Sequence, residues 1–149
     1  VPVVTRGAGT GISGGATPLA DGVMLVVTRM RAIHAIDAAA RLATVDPGVP
    51  NAQVTAAAEG AGLFFAPDPS SQVVSSIGGN VAENAGGIHC LKYGLTVHNV
   101  RKVQGFTIEG DEITLGSDAL DSASYDLPAA KATSASSRAP PCACCRAPR

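Results

Sequence analysis

The chain has 149 residues, of which 46% are hydrophobic and only 3% aromatic, and its formal net charge is −1. That is enough material for one domain with a core of Ala, Val, Ile and Leu, and it carries no basic footprint for nucleic acid. No run reaches the roughly 18 to 20 apolar residues that cross a bilayer, and three of the four cysteines (Cys142, Cys144, Cys145) crowd the last eight residues, so no disulfide framework is expected.

Val1 to Thr5 reads as a short buried strand that feeds Arg6-Gly7-Ala8-Gly9-Thr10-Gly11-Ile12-Ser13-Gly14-Gly15. Asp21-Gly22 opens a second apolar run, Val23 to Val27. Ile33 to Asp37 and Leu42 to Val45 follow as a hairpin with one covered face, ending at Asp46-Pro47-Gly48. Asn51 is then read as a helix N-cap, with Val54, Ala57, Ala58 and Ala61 at helical spacing and Gly60 or Gly62 as the stop. Residues Pro67 to Gly87 hold little apolar surface but many Ser, Gly and Asn, and within them Asn80 to Ala85 is expected to form one or two helical turns. Val100 to Ile108 and Glu112 to Leu115 read as strands joined around Gly110-Asp111. Strands and short helices alternate without the long helices of a doubly wound sheet, which gives an α+β fold. Residues 1–127 form the domain; 128–149, with no Val, Ile, Leu or Phe, are expected to be a low-complexity, disordered tail.

Gly9-Thr10-Gly11-Ile12-Ser13-Gly14 matches G-x-G-x-x-G, but the context is wrong for a Rossmann turn. Gly14-Gly15 and Pro18 oppose an immediate helix, and no acid follows the second strand to hold a ribose. No Lys follows the glycines, so a Walker loop fails too. What remains is a run of N–H groups with Thr10 and Ser13 hydroxyls beside it, suited to a pyrophosphate. Two Gly/Ser-rich segments separated by a hairpin and a helix could converge on one extended ligand, the alternatives being a tight Gly-rich turn between strands for the first and an irregular Gly/Ser connector for the second.

Three motifs in order, Arg6 to Gly15, Pro67-Asp-Pro-Ser-Ser-Gln72 and Ser76 to Gly87, resemble the FAD-binding domain of the vanillyl-alcohol oxidase / p-cresol methylhydroxylase (PCMH) type. Within that superfamily the chain is most similar to the FAD-linked subunit of glycolate oxidase and the related D-lactate and D-2-hydroxyglutarate dehydrogenases. Leu91 to Val100 extends the match. The resemblance implies an α+β FAD domain whose first loop, Arg6, Gly7, Ala8, Gly9, Thr10, Gly11, Ser13 and Gly14, holds the pyrophosphate. It implies that Pro67, Asp68, Ser70, Ser71, Gly78, Gly79, Asn80, Asn84 and Gly87 line the rest of the cofactor, with Tyr93-Gly94 close by. In such enzymes the flavin takes a hydride from the carbon bearing the hydroxyl of a 2-hydroxy acid such as glycolate or D-lactate. The implied partners are that acid and the other subunits of a glycolate oxidase complex. The implied setting is cytoplasmic, free or peripheral to the inner face of the membrane.

The first loop has no His, Cys or Tyr for a covalent flavin link, so noncovalent FAD is expected, with Cys90 as the exception. His34, His89 and His98 are too scattered for a metal site, and Cys142, Cys144 and Cys145 lack a partner cluster. Glu83 is read as a polar residue on the short turn, or one that orients Asn80 or Asn84. The chain starts at Val1 and lacks the family's opening helix and strand, its Gly-Ser-Glu-Gly segment and its substrate domain, so it reads as incomplete at both ends. The tail has the composition that a GC-rich gene yields in a wrong frame, and an out-of-frame reading or truncation is the expectation. Catalytic residues are accordingly not assigned. A non-catalytic flavin-binding module and an inactive truncation product stay open beside the enzyme.

Overall fold

The computed structural model describes residues 1–116 and 143–146. Val-rich runs give the first two strands, β1 (Val3–Arg6) and β2 (Val23–Val26). They pair in parallel, Val3 opposite Val23 through Arg6 opposite Val26, as a two-stranded sheet. The connection between them, residues 7–22, contains no helix. That agrees with the rejection of a Rossmann turn.

The second sheet has five strands in the order β3 (Ile33–Asp37), β4 (Leu42–Val45), β7 (Ala143–Arg146), β5 (Val100–Phe106) and β6 (Glu112–Gly116). All its neighbours are antiparallel. The β3–β4 turn is closed by Asp37, whose Oδ1 accepts the Ala40 N–H at 2.8 Å. The β5–β6 turn closes at Gly110 (φ +95°), whose N–H donates to Thr107 O. That turn captures Thr107 and ends β5 at Phe106, two residues before the expected end at Ile108.

β7 departs from the expectation of a structureless tail over residues 128–149. Ala143 stands opposite Val45 and Val103, and Cys145 opposite Ala43 and Val100. Pairing of this kind draws on backbone N–H and C=O groups, which a segment poor in Val, Ile and Leu still carries. The rest of that tail and the boundary at residue 127 lie outside the described residues, as do the cysteine side chains of the suggested soft-metal cluster.

Helix α1 (Asn51–Ala58) continues as a 3-10 turn, Glu59–Ala61, and stops at Gly62 (φ +69°), whose N–H returns to Glu59 O. Asn51 is not its N-cap. Pro50 holds that position with its fixed φ near −60°, and no side chain caps the helix. The Asn51 amide is instead fully buried: Nδ2 donates to Pro67 O at 2.9 Å and Oδ1 accepts from Asn80 Nδ2 at 2.8 Å. An Asn before a helical pattern is ambiguous in sequence, and here its burial pairs it with another amide that needed a partner.

Helix α2 (Ile77–Ala82) starts three residues earlier than expected. Ser76 caps it, accepting the Gly79 N–H on Oγ at 3.3 Å. Asn84 in the left-handed region (φ +49°) ends the turn before Gly86-Gly87 can. The helix is fixed to the segment after β4: Ile77 N donates to Val49 O and Gly78 N to Pro47 O, at 2.9 and 2.8 Å. A side chain on Gly78 would stand 3.0 Å from the Pro47 carbonyl, so this close approach requires glycine. Two short helices, α3 (Cys90–Tyr93) and α4 (Thr96–Asn99), lead into β5. One core joins these parts: Ala43, Val45, Val49, Val54, Phe65, Ile77 and Val100. No helix among the described residues is long and apolar enough to cross a membrane.

Candidate functional site

The loop that leaves β1 lies beside α2. A Cβ on Gly7 would stand 3.5 Å from Ser76 Cβ and 3.7 Å from Gly79 Cα, at the start of that helix. A Cβ on Gly11 or Gly15 would stand 3.4 or 3.6 Å from Glu83 Oε1, at its end. The two glycine-rich segments therefore run side by side, which their separation in sequence did not require.

Among the described residues, no N–H of residues 7 to 13 donates to a protein acceptor. Loop N–H groups left unpaired at the surface are ready donors to an anion. Gly9 takes φ +74°, and the Arg6 side chain folds onto it, with Nε 2.7 Å and Cζ 2.8 Å from where a Cβ would be. Arg6 has no acidic partner among the described residues. A cation thus stands beside a row of unpaired N–H groups. The α2 terminus is not a second donor site, because its first N–H groups already serve Val49, Pro47 and Ser76.

The second segment closes on itself. Asp68 accepts from His89 N at 3.3 Å through Oδ1, and its Oδ2 meets His89 Nδ1 at 2.5 Å. Gly87 lies against the Asp68 backbone so closely that a Cβ there would overlap the Asp68 carbonyl. The Asp68 carboxylate is therefore committed to His89, leaving Nε2 of that imidazole with no protein partner among the described residues. Ser70 and Ser71 sit in the turn that follows, where Ser71 O accepts from Val74 N and Ser75 N.

Several expected site residues also have partners within the fold. Asn80 is buried against Asn51, and Asn84 Oδ1 accepts the Val97 N–H at 3.0 Å. Pro67 is buried and gives its carbonyl to Asn51. Tyr93 meets the edge of Phe64 at 5.7 Å and carries the Lys92 ammonium 4.8 Å over its ring. Gly94 (φ +82°) packs on the His98 ring. Structure thus brings the first segment, through Gly7 and Gly11, against Ser76, Gly79 and Glu83, and Asp68 against Gly87, while Gly78 packs on Pro47.

Sequence reasoning passed over Glu83 as a link, since a carboxylate on a short turn has no spacing that names its partner. Ser13 Oγ donates to Glu83 Oε2 at 3.0 Å and ties the first segment to the second. It also passed over Ser75, whose Oγ is buried and, among the described residues, is without a partner. Buried hydroxyls normally find one. No group of three or more His, Cys, Asp or Glu side chains among the described residues is placed to hold a metal ion. A cavity of about 20 Å³ beside α1, lined by Ile36, Ala58, Leu63 and Phe64 among others, includes no residue of either glycine segment and is too small for a ligand.

Residues 1–116 match the FAD binding domain family. Over 127 residues the chain is 61% identical to the glycolate oxidase subunit GlcD of Escherichia coli K12, a match covering 85% of this chain and 26% of that protein. Identity is 44% to the glycolate oxidase subunit GlcD of Bacillus subtilis and 37% to a D-lactate dehydrogenase of Archaeoglobus fulgidus, each covering 85% of this chain and 27% or 28% of the relative. The chain thus spans about a quarter of the length of these relatives. Among solved structures, an alkyldihydroxyacetonephosphate synthase superposes with TM-score 0.81 at 19% identity, covering 99% of this chain and 27% of that one. The 6-hydroxy-D-nicotine oxidase of Arthrobacter nicotinovorans gives TM-score 0.70 at 25% identity, covering 87% and 28%. The α+β fold expected from the sequence is the one these structures share.

Proposed function

Because the chain belongs to the FAD binding domain family, we propose that its two glycine-rich segments form one part of a noncovalent FAD cradle in an oxidoreductase acting on a 2-hydroxy acid. The observation that carries this is the row of unpaired N–H groups from Gly7 to Ser13 beside the Arg6 guanidinium. These residues fit a pyrophosphate: backbone donors approach its oxygens closely where no side chains intervene, and one cation neutralises part of its charge.

A bound flavin supplies the hydride acceptor for the carbon that bears the substrate hydroxyl. Arg6 and residues 7 to 13 bind and orient the dinucleotide, and Ser76 and Gly79 support the loop from beneath. Asp68 holds the His89 imidazole by Nδ1, which orients that ring at the end of the second segment. Ser70, Ser71, Tyr93 and Gly94 are proposed to line the remaining length of the cofactor. Glycolate and D-lactate are the candidate substrates, following the names of the similar proteins. Groups that bind the acid belong, in this reading, to the greater part of those proteins that the match leaves uncovered.

Ile88 and Leu91 are 85% and 100% exposed beside this segment, which favours a cradle completed by further polypeptide. That polypeptide is either more of the same protein or another member of a glycolate oxidase complex. The experiment is to titrate FAD into the purified chain and follow quenching of flavin fluorescence. Saturable binding that weakens with added salt and with Arg6→Ala is the expected result. Binding indifferent to both would refute the pyrophosphate assignment. Addition of glycolate or D-lactate then separates an enzyme, which bleaches the flavin, from a binding module, which does not.

A further inference from the structure

Glu83 stands at the C-terminal cap of α2, and its own N–H is anchored to Gly79 O at 3.0 Å. Its carboxylate reaches across to the first glycine segment, where Oε2 accepts the Ser13 hydroxyl at 3.0 Å. Oε1 lies under the same segment, 3.4 Å from the Cβ position of Gly11 and 3.6 Å from that of Gly15. At the other end of the segment, Gly7 rests on Ser76 and Gly79. The loop is therefore held to α2 at both ends, and its unpaired N–H groups lie in the span between them.

We propose that Glu83 is a positioning residue for this loop: the Ser13–Glu83 hydrogen bond acts as a latch that orders residues 8 to 13 before the ligand arrives. The inference rests on the reading that the loop binds the anionic part of a dinucleotide. The latch matters because the connection has no helix to stiffen it. Two of its glycines adopt positive φ, and a chain so rich in glycine loses much conformational freedom when it orders. Ordering it beforehand spares that cost at the binding step. A carboxylate close to an anion site is otherwise a disadvantage, since like charges repel. Simple electrostatics and the latch therefore predict opposite signs: removing Glu83 tightens binding of an anion in the first case and weakens it in the second. Glu83 is exposed, so its repulsion is largely screened and the latch prevails.

The test uses the full 149-residue chain, labelled with 15N, as wild type, Glu83→Ala, Glu83→Gln and Ser13→Ala. Without ligand, the heteronuclear NOE of the Gly11, Gly14 and Gly15 amides should fall in Glu83→Ala and Ser13→Ala. It should persist in Glu83→Gln, whose side-chain carbonyl still accepts the Ser13 hydroxyl. In FAD titrations the two alanine variants should bind about threefold to tenfold more weakly, the range for one exposed hydrogen bond. Glu83→Gln should match wild type or exceed it, and the double alanine variant should lose no more than either single one. Unchanged loop NOEs in Glu83→Ala, or tighter FAD binding by it, would overturn the latch. Failure of wild type to bind FAD would count against the functional reading, while the NOE comparison would still decide the latch.

Discussion

Gly9→Val is the sharpest test of the first loop, because the geometry specifies two separate costs. Gly9 sits at φ +74°, a left-handed conformation that costs a residue with Cβ about 1 to 2 kcal/mol. The new Cβ would also fall on the Arg6 guanidinium, whose Nε and Cζ lie 2.7 and 2.8 Å from that point. Arg6 can swing away, but then the cation leaves the loop. Loss of a hydrogen bond to a charged group is worth about 1.5 to 3 kcal/mol. Together the two effects amount to about 2.5 to 5 kcal/mol, or about 1.8 to 3.6 decades in FAD affinity at tenfold per 1.4 kcal/mol. The assay is the flavin fluorescence titration, with thermal unfolding of each variant run alongside. Gly62→Ala is the control: Gly62 has φ +69°, yet nothing lies within 4 Å of its Cβ position. It should lower stability by about 1 kcal/mol and leave FAD affinity unchanged. Gly9→Val binding FAD within threefold of wild type, with its fold intact, would refute the placement of the pyrophosphate.

Gly79→Val, in the parallel segment, should also abolish FAD binding if the cofactor backbone passes over the first turn of α2; wild-type affinity in the same titration would remove Gly79 from the site. Ile77→Ala should destabilise the domain by about 2 to 5 kcal/mol, seen as a lower urea midpoint, because Ile77 is fully buried at the contact between α2 and Val49. Asn80→Ala should cost about 1 to 3 kcal/mol by leaving the buried Asn51 carbonyl unpaired, and combining it with Asn51→Ala should cost less than the two effects added. Deleting residues 143–149 should remove amide-exchange protection along the β4 and β5 edges that face β7, while leaving the β5–β6 hairpin protected.

The strands were legible where apolar periodicity and turn chemistry agree, as in Ile33–Asp37 and Leu42–Val45, whose limits match the expectation. The glycine segments stood out in the sequence by their composition and motif order, and the structure brings the first of them against α2. What sequence could not show was how polar side chains are partnered. Asn51 fits a helix cap in sequence, but in space its amide meets Asn80 and Pro67, and that burial decides its role. Asn80 and Asn84 carry the right chemistry to touch a cofactor, yet both satisfy main-chain or amide partners within the fold. Glu83 was ambiguous for the same reason, since its partner is 70 positions away. β7 was illegible because a strand inserted between two others is specified by the edges it joins, and its own residues carry little of that signal.

One feature of the backbone ties stability to occupancy. β1 and β2 run parallel, and the only covalent link between them is the loop assigned to the cofactor. Most parallel pairs are joined by a helix that adds its own buried face to their stability. Here the crossover contributes no such face, and Val23 and Val26 of the pair remain exposed. Any ligand that orders residues 7–22 therefore also acts on the pairing of the two strands. At a free concentration one hundredfold above its Kd, such a ligand would add about 2.7 kcal/mol to the folded state. The same molecule that this loop recognises would then be what holds the small sheet together, so the apoprotein should lose its first two strands before it loses its core.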